Sequence, residues 1–252
     1  MINLSIVIPG IRNKNWDKIY DDLLECVGGY SFELICVGPY EASEELSNKE
    51  NFKFIKDFGS PSRCLQIGSQ NSYGEFICWI PDDCILDKNS LSLSLDFMYG
   101  NAKENDGMCL LYSEGLNFTG DQHLDNSYWV GSTHRDQRVN QVDPNWRIAP
   151  LFLYRKKLYD ELGGIDCRFE HANMNTHDLA YRVQKLEGVI HLSPTRILSV
   201  DWIPNQPVVS NAYFENDLPL FNELYGGNEF PRLKINKDNW KDSPEIWARR
   251  FK

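Results

Sequence analysis

Short apolar segments alternate with segments of helical periodicity along the first hundred residues of the chain. Predicted strands lie at 4–9, 32–37, 52–55 and 75–80, and predicted helices lie between strands at 16–27 and 61–72. Parallel strands need a crossover connection, which is usually a helix, so this alternation favours a mostly parallel sheet. The sequence therefore predicts an α/β fold with a central sheet flanked by helices.

The strand at 75–80 ends in two adjacent acids. Residues 76–80 are all apolar, Pro81 ends the run, and Asp82 and Asp83 follow. A continuous apolar run is typical of a strand that is buried on both faces. Because ligands of open α/β sheets bind at the carboxyl ends of strands, the two acids suggest a site for a metal ion and a phosphate group. The alternative is a solvated acidic turn before the next helix.

Composition excludes several classes of protein. The chain has 252 residues, of which 42% are apolar and 13% aromatic, so it can bury a large core. Its formal net charge of −10 comes from 36 acidic and 26 basic residues spread along the sequence. That balance argues against a general nucleic-acid binder and against a basic membrane-surface module, so no nucleic-acid partner is expected.

The cysteines and the first residues suggest a location in the cell. Seven cysteines form no CxxC motif, and several lie within apolar segments, so we expect reduced and buried thiols. The first residues lack the basic and long apolar regions of a signal peptide. No apolar stretch approaches the roughly 20 residues that span a bilayer. We expect a cytoplasmic protein without a transmembrane segment.

Four blocks of sequence, read together, resemble the family 2 glycosyltransferases of the GT-A fold. The blocks are SIVIPGIRN at 5–13, FELICVG at 32–38, GSPSRCLQIGSQNSYGEFICWIPDDC at 59–84, and GGIDCRF at 163–169 followed by HDLAYRVQKLEG at 177–188. Their order and spacing match the family as well as their residues do. The resemblance covers residues 1–200 and implies a GT-A-like α/β domain with a small acceptor-side subregion.

The resemblance implies an inverting, hexosyltransferase-like enzyme. Such an enzyme moves a sugar from a nucleotide-diphosphate donor to a hydroxyl of a growing glycan or a lipid-linked acceptor, usually with Mn²⁺ or Mg²⁺. The departing diphosphate gains negative charge, which a metal held by carboxylates stabilises. Asp83 matches the family acid most often found on the metal. Asp82 is a second candidate ligand of the metal and a candidate contact of the donor. Pro81 stands where the family usually has the first acid of an Asp-x-Asp motif.

A general base must also take the proton of the acceptor hydroxyl. The family usually has Glu-Asp-x-Asp-Leu near this base, and residues 175–179 of this chain, NTHDL, keep only the last acid. The surviving candidates for the base are therefore Asp178 and His177. Each has a structural alternative, because an acid stabilises the start of a helix and a lone histidine is more often a surface residue.

The nucleotide side of the predicted site has five further candidates. Pro9, Gly10 and Arg12 follow the first strand, where the family's chain turns under the nucleotide. Glu41 lies where the family often has an acidic motif that contacts the nucleoside, and Arg63 matches an arginine near the nucleoside. The alternatives are an exposed loop arginine for Arg12 and a structural ion pair with Asp57 for Arg63.

Other candidates lie further along the chain. Tyr128, Trp129 and Trp146 fall where the family has acceptor loops, although core packing explains them equally well. His191 is predicted to be packed, with a late metal ligand as the alternative. The basic and aromatic segment 246–252 is predicted to be a solvated tail, and contact with a membrane-borne acceptor lipid is the alternative.

We predict one GT-A domain followed by an extension. Residues 1–112 form its nucleotide-sugar-binding half, residues 113–203 its acceptor-side half, and residues 204–252 a C-terminal helical extension and tail. The alternative function is a catalytically lapsed GT-A-like domain that binds a glycan or a protein. A nucleotidyltransferase is a third possibility, but residues 9–14 are a poor match to the glycine-rich phosphate loop that it needs.

Overall fold

A seven-stranded sheet forms the centre of the fold. The computed structural model describes residues 1–110, 147, 149–171, 174–193, 198–200 and 211–225. In these residues, the strands are β1 (Leu4–Pro9), β2 (Phe32–Gly38), β3 (Phe52–Lys56), β4 (Phe76–Trp79), β5 (Cys84–Leu86), β6 (Gly107–Cys109), β7 (Phe152–Arg155), β8 (Ile190–Leu192) and β9 (Leu198–Val200). The large sheet has the order β3-β2-β1-β4-β7-β6-β8, and β5 pairs with β9 in a small second sheet.

The large sheet is mostly parallel, which confirms the prediction. Strands β1 to β4 all run in one direction, and β6 is parallel to β8, whereas β7 is antiparallel to both β4 and β6. Leu4 of β1 pairs with Phe32 of β2 and with Phe76 of β4, so these three strands start at the same level. The loops after β1, β2, β3 and β4 therefore leave from one edge of the sheet, here called the carboxyl edge.

Helices cover both faces of this sheet. In the described residues they are α1 (Trp16–Cys26), α2 (Glu44–Ser47), α3 (Pro61–Gln70), α4 (Ser90–Gly100), α5 (Lys156–Glu161), α6 (Met174–Lys185) and α7 (Leu218–Tyr225). In β2, Ile35 and Val37 pack against Ile67 of α3, whereas Leu34 and Cys36 belong to the main core together with buried residues of α1. Because successive side chains of a strand point to opposite faces, the two sets lie on opposite sides of the sheet.

Local signals in the sequence explain why α1 and α3 form. In α1, four apolar residues recur at helical spacing and are buried, namely Trp16, Ile19, Tyr20 and Leu23. At the start of α3, the Ser60 hydroxyl accepts a hydrogen bond of 3.1 Å from the backbone N–H of Arg63. Pro61 occupies the first turn, where its fixed backbone angle suits a helix and its missing N–H costs nothing.

The C-terminal helix α7 packs against α6. A second, smaller core joins them, and it consists of Phe169, Met174, Tyr181, Phe221 and Tyr225. A π-helical turn over Tyr213–Asp217 leads into α7. Because α6 carries the two predicted base candidates, this segment beyond residue 200 supports part of the predicted site.

Several predicted features concern burial or fall outside the described residues. Six of the seven cysteines are buried, as expected, and Cys167 is partly exposed. Burial raises the pKa of the Cys26 thiol to about 11. No helix in the described part of the chain combines the length and apolar character needed to cross a bilayer. Tyr128, Trp129, Trp146 and the tail 246–252 lie outside the described residues.

Candidate active site

The loops of the carboxyl edge bring most of the predicted nucleotide-side residues together. The backbone N–H of Gly10, after β1, donates to the carbonyl of Val37 in β2 at 3.0 Å. The N–H of Asp57, after β3, donates to the carbonyl of Gly38 at 3.1 Å. The predicted residues Pro9 and Gly10 therefore lie beside the end of β2, and the end of β2 lies beside the loop that precedes Arg63.

The loops approach so closely that position 38 requires glycine and position 10 leaves little room for a side chain. A Cβ atom placed on Gly38 would lie 2.0 Å from the carbonyl oxygen of Gly10. A Cβ atom on Gly10 would lie 3.0 Å from Asp82 Oδ2 and equally close to Trp16 Nε1. The loops after β1, β2 and β4 are thus packed backbone against backbone and against one carboxylate.

Asp82 connects the loop after β4 to the loop after β1. Its Oδ2 accepts hydrogen bonds of 2.7 Å from the backbone N–H groups of Ile11 and Arg12. Its Oδ1 accepts a hydrogen bond of 2.5 Å from Arg12 Nη1, and its backbone carbonyl accepts one of 2.8 Å from Asn15 Nδ2. Asp82 is buried. A structural role in positioning the loop after β1 is therefore enough to explain an aspartate at position 82.

Asp83 is more accessible and lies within reach of the same arginine. Its Oδ2 is 3.5 Å from Arg12 Nη1, so one guanidinium group lies against both carboxylates. Arg12 is partly exposed. The arrangement places one positive and two negative charges at the carboxyl edge, directly after β1 and β4.

The oxygen donors at this edge suit a divalent cation in part. Mg²⁺ and Mn²⁺ prefer oxygen ligands, and Mg²⁺ is commonly held by one or two carboxylates together with phosphates of the substrate. Asp83 fits that role, whereas both oxygens of Asp82 already accept hydrogen bonds from the chain. In the described residues, no group of three or more His, Cys, Asp or Glu side chains is arranged to hold a metal ion. The two aspartates by themselves therefore do not complete the ligand shell of a divalent cation.

Arg63 forms an ion pair with Asp57, which is the structural alternative to its predicted role at the nucleoside. Its Nε lies 3.0 Å from Asp57 Oδ1 and its Nη2 lies 3.0 Å from Asp57 Oδ2. Asp57 Oδ1 also accepts a hydrogen bond of 2.7 Å from the N–H of Gly59. The pair is largely buried. It holds the loop between β3 and α3 in one shape.

The outer rim of the carboxyl edge carries exposed side chains. Glu41 lies 3.1 Å from Lys56 Nζ, and its carbonyl accepts a hydrogen bond of 2.7 Å from Asn13 Nδ2. Two large aromatic residues follow neighbouring strands here, and both are exposed, Tyr40 by 46% and Phe58 by 43%. Sequence reasoning did not select them, although their positions after β2 and β3 were a usable signal.

The two base candidates lie in the first turns of α6, and both are buried. Asp178 Oδ2 accepts a hydrogen bond of 2.9 Å from Arg182 Nε, and Asp178 Oδ1 accepts one from the hydroxyl of Tyr225. Arg182 is buried as well and donates to the carbonyls of Leu162 and Gly164. Asp178 thus belongs to a buried network between α6 and α7. The catalytic roles of Asp178 and His177 stay predictions.

The start of α6 nevertheless adjoins the nucleotide side. Asn175 Nδ2 donates a hydrogen bond of 2.6 Å to the hydroxyl of Ser62, the residue before Arg63. This contact joins α6 to the first turn of α3. The structure therefore brings the two predicted halves of the site together through Asn175, which the sequence singles out only as part of the motif at 175–179.

Comparison with solved structures identifies the fold. S. aureus TarS superposes with a TM-score of 0.57 at 16% identity over 88% of this chain and 39% of that chain. TarS 1–349 in complex with UDP gives 0.54 at 15% identity over 78% of this chain and 60% of that chain. The catalytic domain of Drosophila beta1,4-galactosyltransferase 7 in complex with xylobiose gives 0.51 at 9% identity over 92% of this chain and 82% of that chain. The chain has a GT-A glycosyltransferase fold.

The GT-A fold confirms the predicted architecture. No protein-family model matches the sequence, and no curated protein matches it. This chain spans 60% of TarS 1–349 and 39% of the longer TarS chain. At these sequence identities, the likeness is one of fold, so the roles of individual residues depend on the contacts described above.

One buried carboxylate of the GT-A domain escaped sequence reasoning. Asp217, in the π-helical turn, accepts hydrogen bonds of 2.8 Å from the backbone N–H groups of Glu170 and His171. Burial raises the pKa of its side chain to about 6. The carbonyls of Glu170 and His171 in turn accept hydrogen bonds from Ser62. Asp217 therefore supports the segment that contacts α3, and no local sequence signal pointed to it.

His191 has the packed environment that the sequence predicts. Its Nε2 lies 2.9 Å from Asp106 Oδ2, and its ring meets the ring of Phe97 edge-on at 5.0 Å. Burial acts to raise the pKa of Asp106, but the hydrogen bonds from His191 and two backbone N–H groups lower it overall. A structural role explains these contacts without a metal.

Proposed function

We propose that the chain is a glycosyltransferase. It would move a sugar from a nucleotide-diphosphate donor to a hydroxyl of a glycan or glycolipid acceptor, with inversion at the anomeric carbon and with help from Mn²⁺ or Mg²⁺. The observation that carries the proposal is the contact of Arg12 with Asp82 and Asp83 at the carboxyl edge of a GT-A fold. This edge is where ligands of open α/β sheets bind.

The nucleotide would bind across the loops after β1, β2 and β3. Arg12 supplies the positive charge of a guanidinium group to this edge. Tyr40 and Phe58 offer exposed rings on which a base can stack. Arg63 acts through its ion pair with Asp57, which keeps the β3–α3 loop in shape. Pro9, Gly10 and Glu41 line or support the same loops in this proposal.

The diphosphate would lie against Arg12 and the two aspartates. Asp83 is the proposed metal ligand, and Asp82 positions Arg12 and the loop after β1 through its hydrogen bonds. A bound divalent cation neutralises the negative charge that develops on the departing diphosphate. Arg12 adds a second positive charge on the same side, and in the free protein this charge lies against Asp82 and Asp83.

The acceptor hydroxyl must lose its proton as it attacks the sugar. Of the two candidates, His177 is the better base. Arg182 and Tyr225 both donate to Asp178, so the two oxygens of its carboxylate already have partners within the protein. The imidazole ring of a histidine is the side chain that most often serves as a general base. In this assignment Asp178 holds α6 in place.

Nucleotide binding to the full chain tests the proposal. We expect UDP or another nucleoside diphosphate, with Mn²⁺, to raise the free energy of unfolding by about 2.7 kcal/mol at one hundred times its dissociation constant. Asp83→Asn should remove the part of this stabilisation that depends on Mn²⁺. The exposed Asp21→Asn on α1 is the control and should leave it unchanged. If no nucleotide stabilises the wild-type chain, the proposal is wrong.

A second candidate function is a lapsed GT-A domain that binds a glycan or a protein. The buried network around Asp178 favours it, because the one acid kept from the family's base motif already serves a structural purpose. A lapsed domain would bind glycan without nucleotide or metal. It would also show no turnover that depends on Asp83 or His177, which separates it from the enzyme.

A further inference from the structure

We infer that Arg12 is a built-in cation that competes with the divalent metal for Asp83, and that it must turn towards the donor diphosphate before the metal binds tightly. The inference rests on the proposed function and deepens it. It concerns the order of events at the site, namely that the metal and the nucleotide bind together, because the free protein already neutralises its own metal ligand.

The two contacts of Arg12 are unequal. Its Nη1 lies 2.5 Å from Asp82 and 3.5 Å from Asp83, and the Asp82 side chain is only 5% exposed whereas that of Asp83 is 13% exposed. Asp82 also accepts hydrogen bonds from two backbone N–H groups, so it stays in place whatever Arg12 does. The Arg12–Asp83 contact is the longer and more open of the two, and it is therefore the one that can be released.

Electrostatic repulsion opposes the simultaneous contact of Arg12 and a divalent metal ion with Asp83. A guanidinium group keeps its charge at every physiological pH, and a divalent ion on Asp83 would lie only a few ångströms from it. Both cations would be drawn to the same carboxylate, and each would repel the other. A diphosphate changes the balance, because it offers Arg12 several anionic oxygens and offers the metal further ligands.

The chain offers a matched control for Arg12. Arg63 also lies at the carboxyl edge and also pairs with an aspartate, but its partner is Asp57, held by three nitrogen-to-oxygen contacts of 3.0 to 3.2 Å. Neutralising Arg63 removes the same charge from the same edge. It leaves the contact between Arg12 and Asp83 unchanged.

Titration of the full chain with Mn²⁺ alone, without nucleotide, tests the inference. Calorimetry or the electron paramagnetic resonance signal of free Mn²⁺ gives the affinity. We expect Arg12→Gln to bind Mn²⁺ about tenfold more tightly than the wild type, because a repelling charge has been removed. Arg12→Lys should lie between the two, since it keeps the positive charge but carries it on a shorter, more flexible side chain that is held less firmly beside Asp83. Arg63→Gln should match the wild type.

The outcomes are decisive in either direction. Adding Asp83→Asn to Arg12→Gln should abolish the gain in affinity. If Arg12→Gln does not fold, as judged by circular dichroism, Arg12→Lys against the wild type decides the matter. Affinity in the Arg12 variants at or below that of the wild type overturns the inference, and so does an equal gain in Arg63→Gln. Failure of any nucleotide to bind would instead overturn the proposed function, because the Mn²⁺ titration contains no nucleotide.

Discussion

The hydroxyl of Tyr225 donates a hydrogen bond to the carboxylate of Asp178, which lies 47 residues earlier in the chain. The contact joins α7 to α6, and it lies inside the small core that both helices share. Helix α7 therefore holds the one acid that survives from the family's base motif. Asp178 and Tyr225 lie far apart in the sequence, and no sequence pattern links the two residues.

Removing that hydroxyl should destabilise the protein without disturbing the packing. Tyr225→Phe keeps the ring against Tyr181 and Phe221 but leaves the Asp178 carboxylate with one donor fewer. We expect a loss of about 1–3 kcal/mol in the free energy of unfolding, because a buried charged acceptor loses a partner. Urea unfolding measures it. Tyr73→Phe, at an exposed tyrosine, should change nothing, and equal stability of the two variants would contradict the prediction.

The close approach of Gly38 to the backbone of Gly10 predicts that one added methyl group lowers the stability of the protein. In Gly38→Ala, the new Cβ would lie 2.0 Å from the carbonyl oxygen of Gly10, so the loops after β1 and β2 must separate. We expect a loss of about 1–3 kcal/mol in stability, as for overpacked sites, together with weaker nucleotide binding. Gly100→Ala is the control, because nothing lies within 4 Å of its new Cβ. Chemical unfolding and a nucleotide titration of both variants give the comparison.

The sequence predicted the larger elements because their signals are local. The apolar run at 32–37 appears as β2 over Phe32–Gly38, and the Ser60 and Pro61 signals place the start of α3 at the observed residue. Strand β5 was missed. It has three residues and pairs with Leu198–Val200, so it depends on a partner more than a hundred residues away and has no pattern of its own.

The site was predictable in position but not in its contacts. The apolar strand and Pro81 were enough to place Asp82 and Asp83 at the carboxyl edge of β4. The three hydrogen bonds to the carboxylate of Asp82 come from residues about 70 positions earlier. Loop geometry, which no periodicity encodes, decides them. Asp217 shows the same limit, because its partners are backbone N–H groups that any sequence supplies.

Asp217 predicts an unusual dependence of stability on pH. Burial raises its pKa from 3.8 to about 6, so between these values the native state binds more protons at this position than the unfolded state does. Stability from this group is therefore greatest below about pH 4 and is lost as the pH rises through 6. We expect the difference in unfolding free energy between the wild type and Asp217→Asn to grow by roughly 2–3 kcal/mol from pH 7.5 to pH 4.

His171, next to Glu170, acts in the opposite direction. Burial lowers the pKa of its side chain from 6.5 to about 4, so the unfolded state binds more protons there and stability falls as the pH drops from 6.5 to 4. The two groups offset each other in the wild type. Asp217→Asn should therefore lose stability more steeply in acid than the wild type, and His171→Gln less steeply. Parallel pH profiles of all three proteins in urea unfolding would contradict this assignment.

The exposed rings of Tyr40 and Phe58 predict where the nucleoside base of the donor stacks. They follow β2 and β3, which are neighbours in the sheet, at the same edge as Arg12. Stacking of a base on an aromatic ring contributes about 1–3 kcal/mol, so Tyr40→Ala or Phe58→Ala should weaken UDP binding by roughly tenfold or more. Calorimetric titration with UDP and Mn²⁺ measures this. Tyr73 precedes β4 at the opposite edge and is also exposed, so Tyr73→Ala should leave the affinity unchanged. If neither Tyr40→Ala nor Phe58→Ala differs from Tyr73→Ala, the base lies elsewhere, because an exposed ring that stacks on a ligand cannot be removed without a loss of affinity.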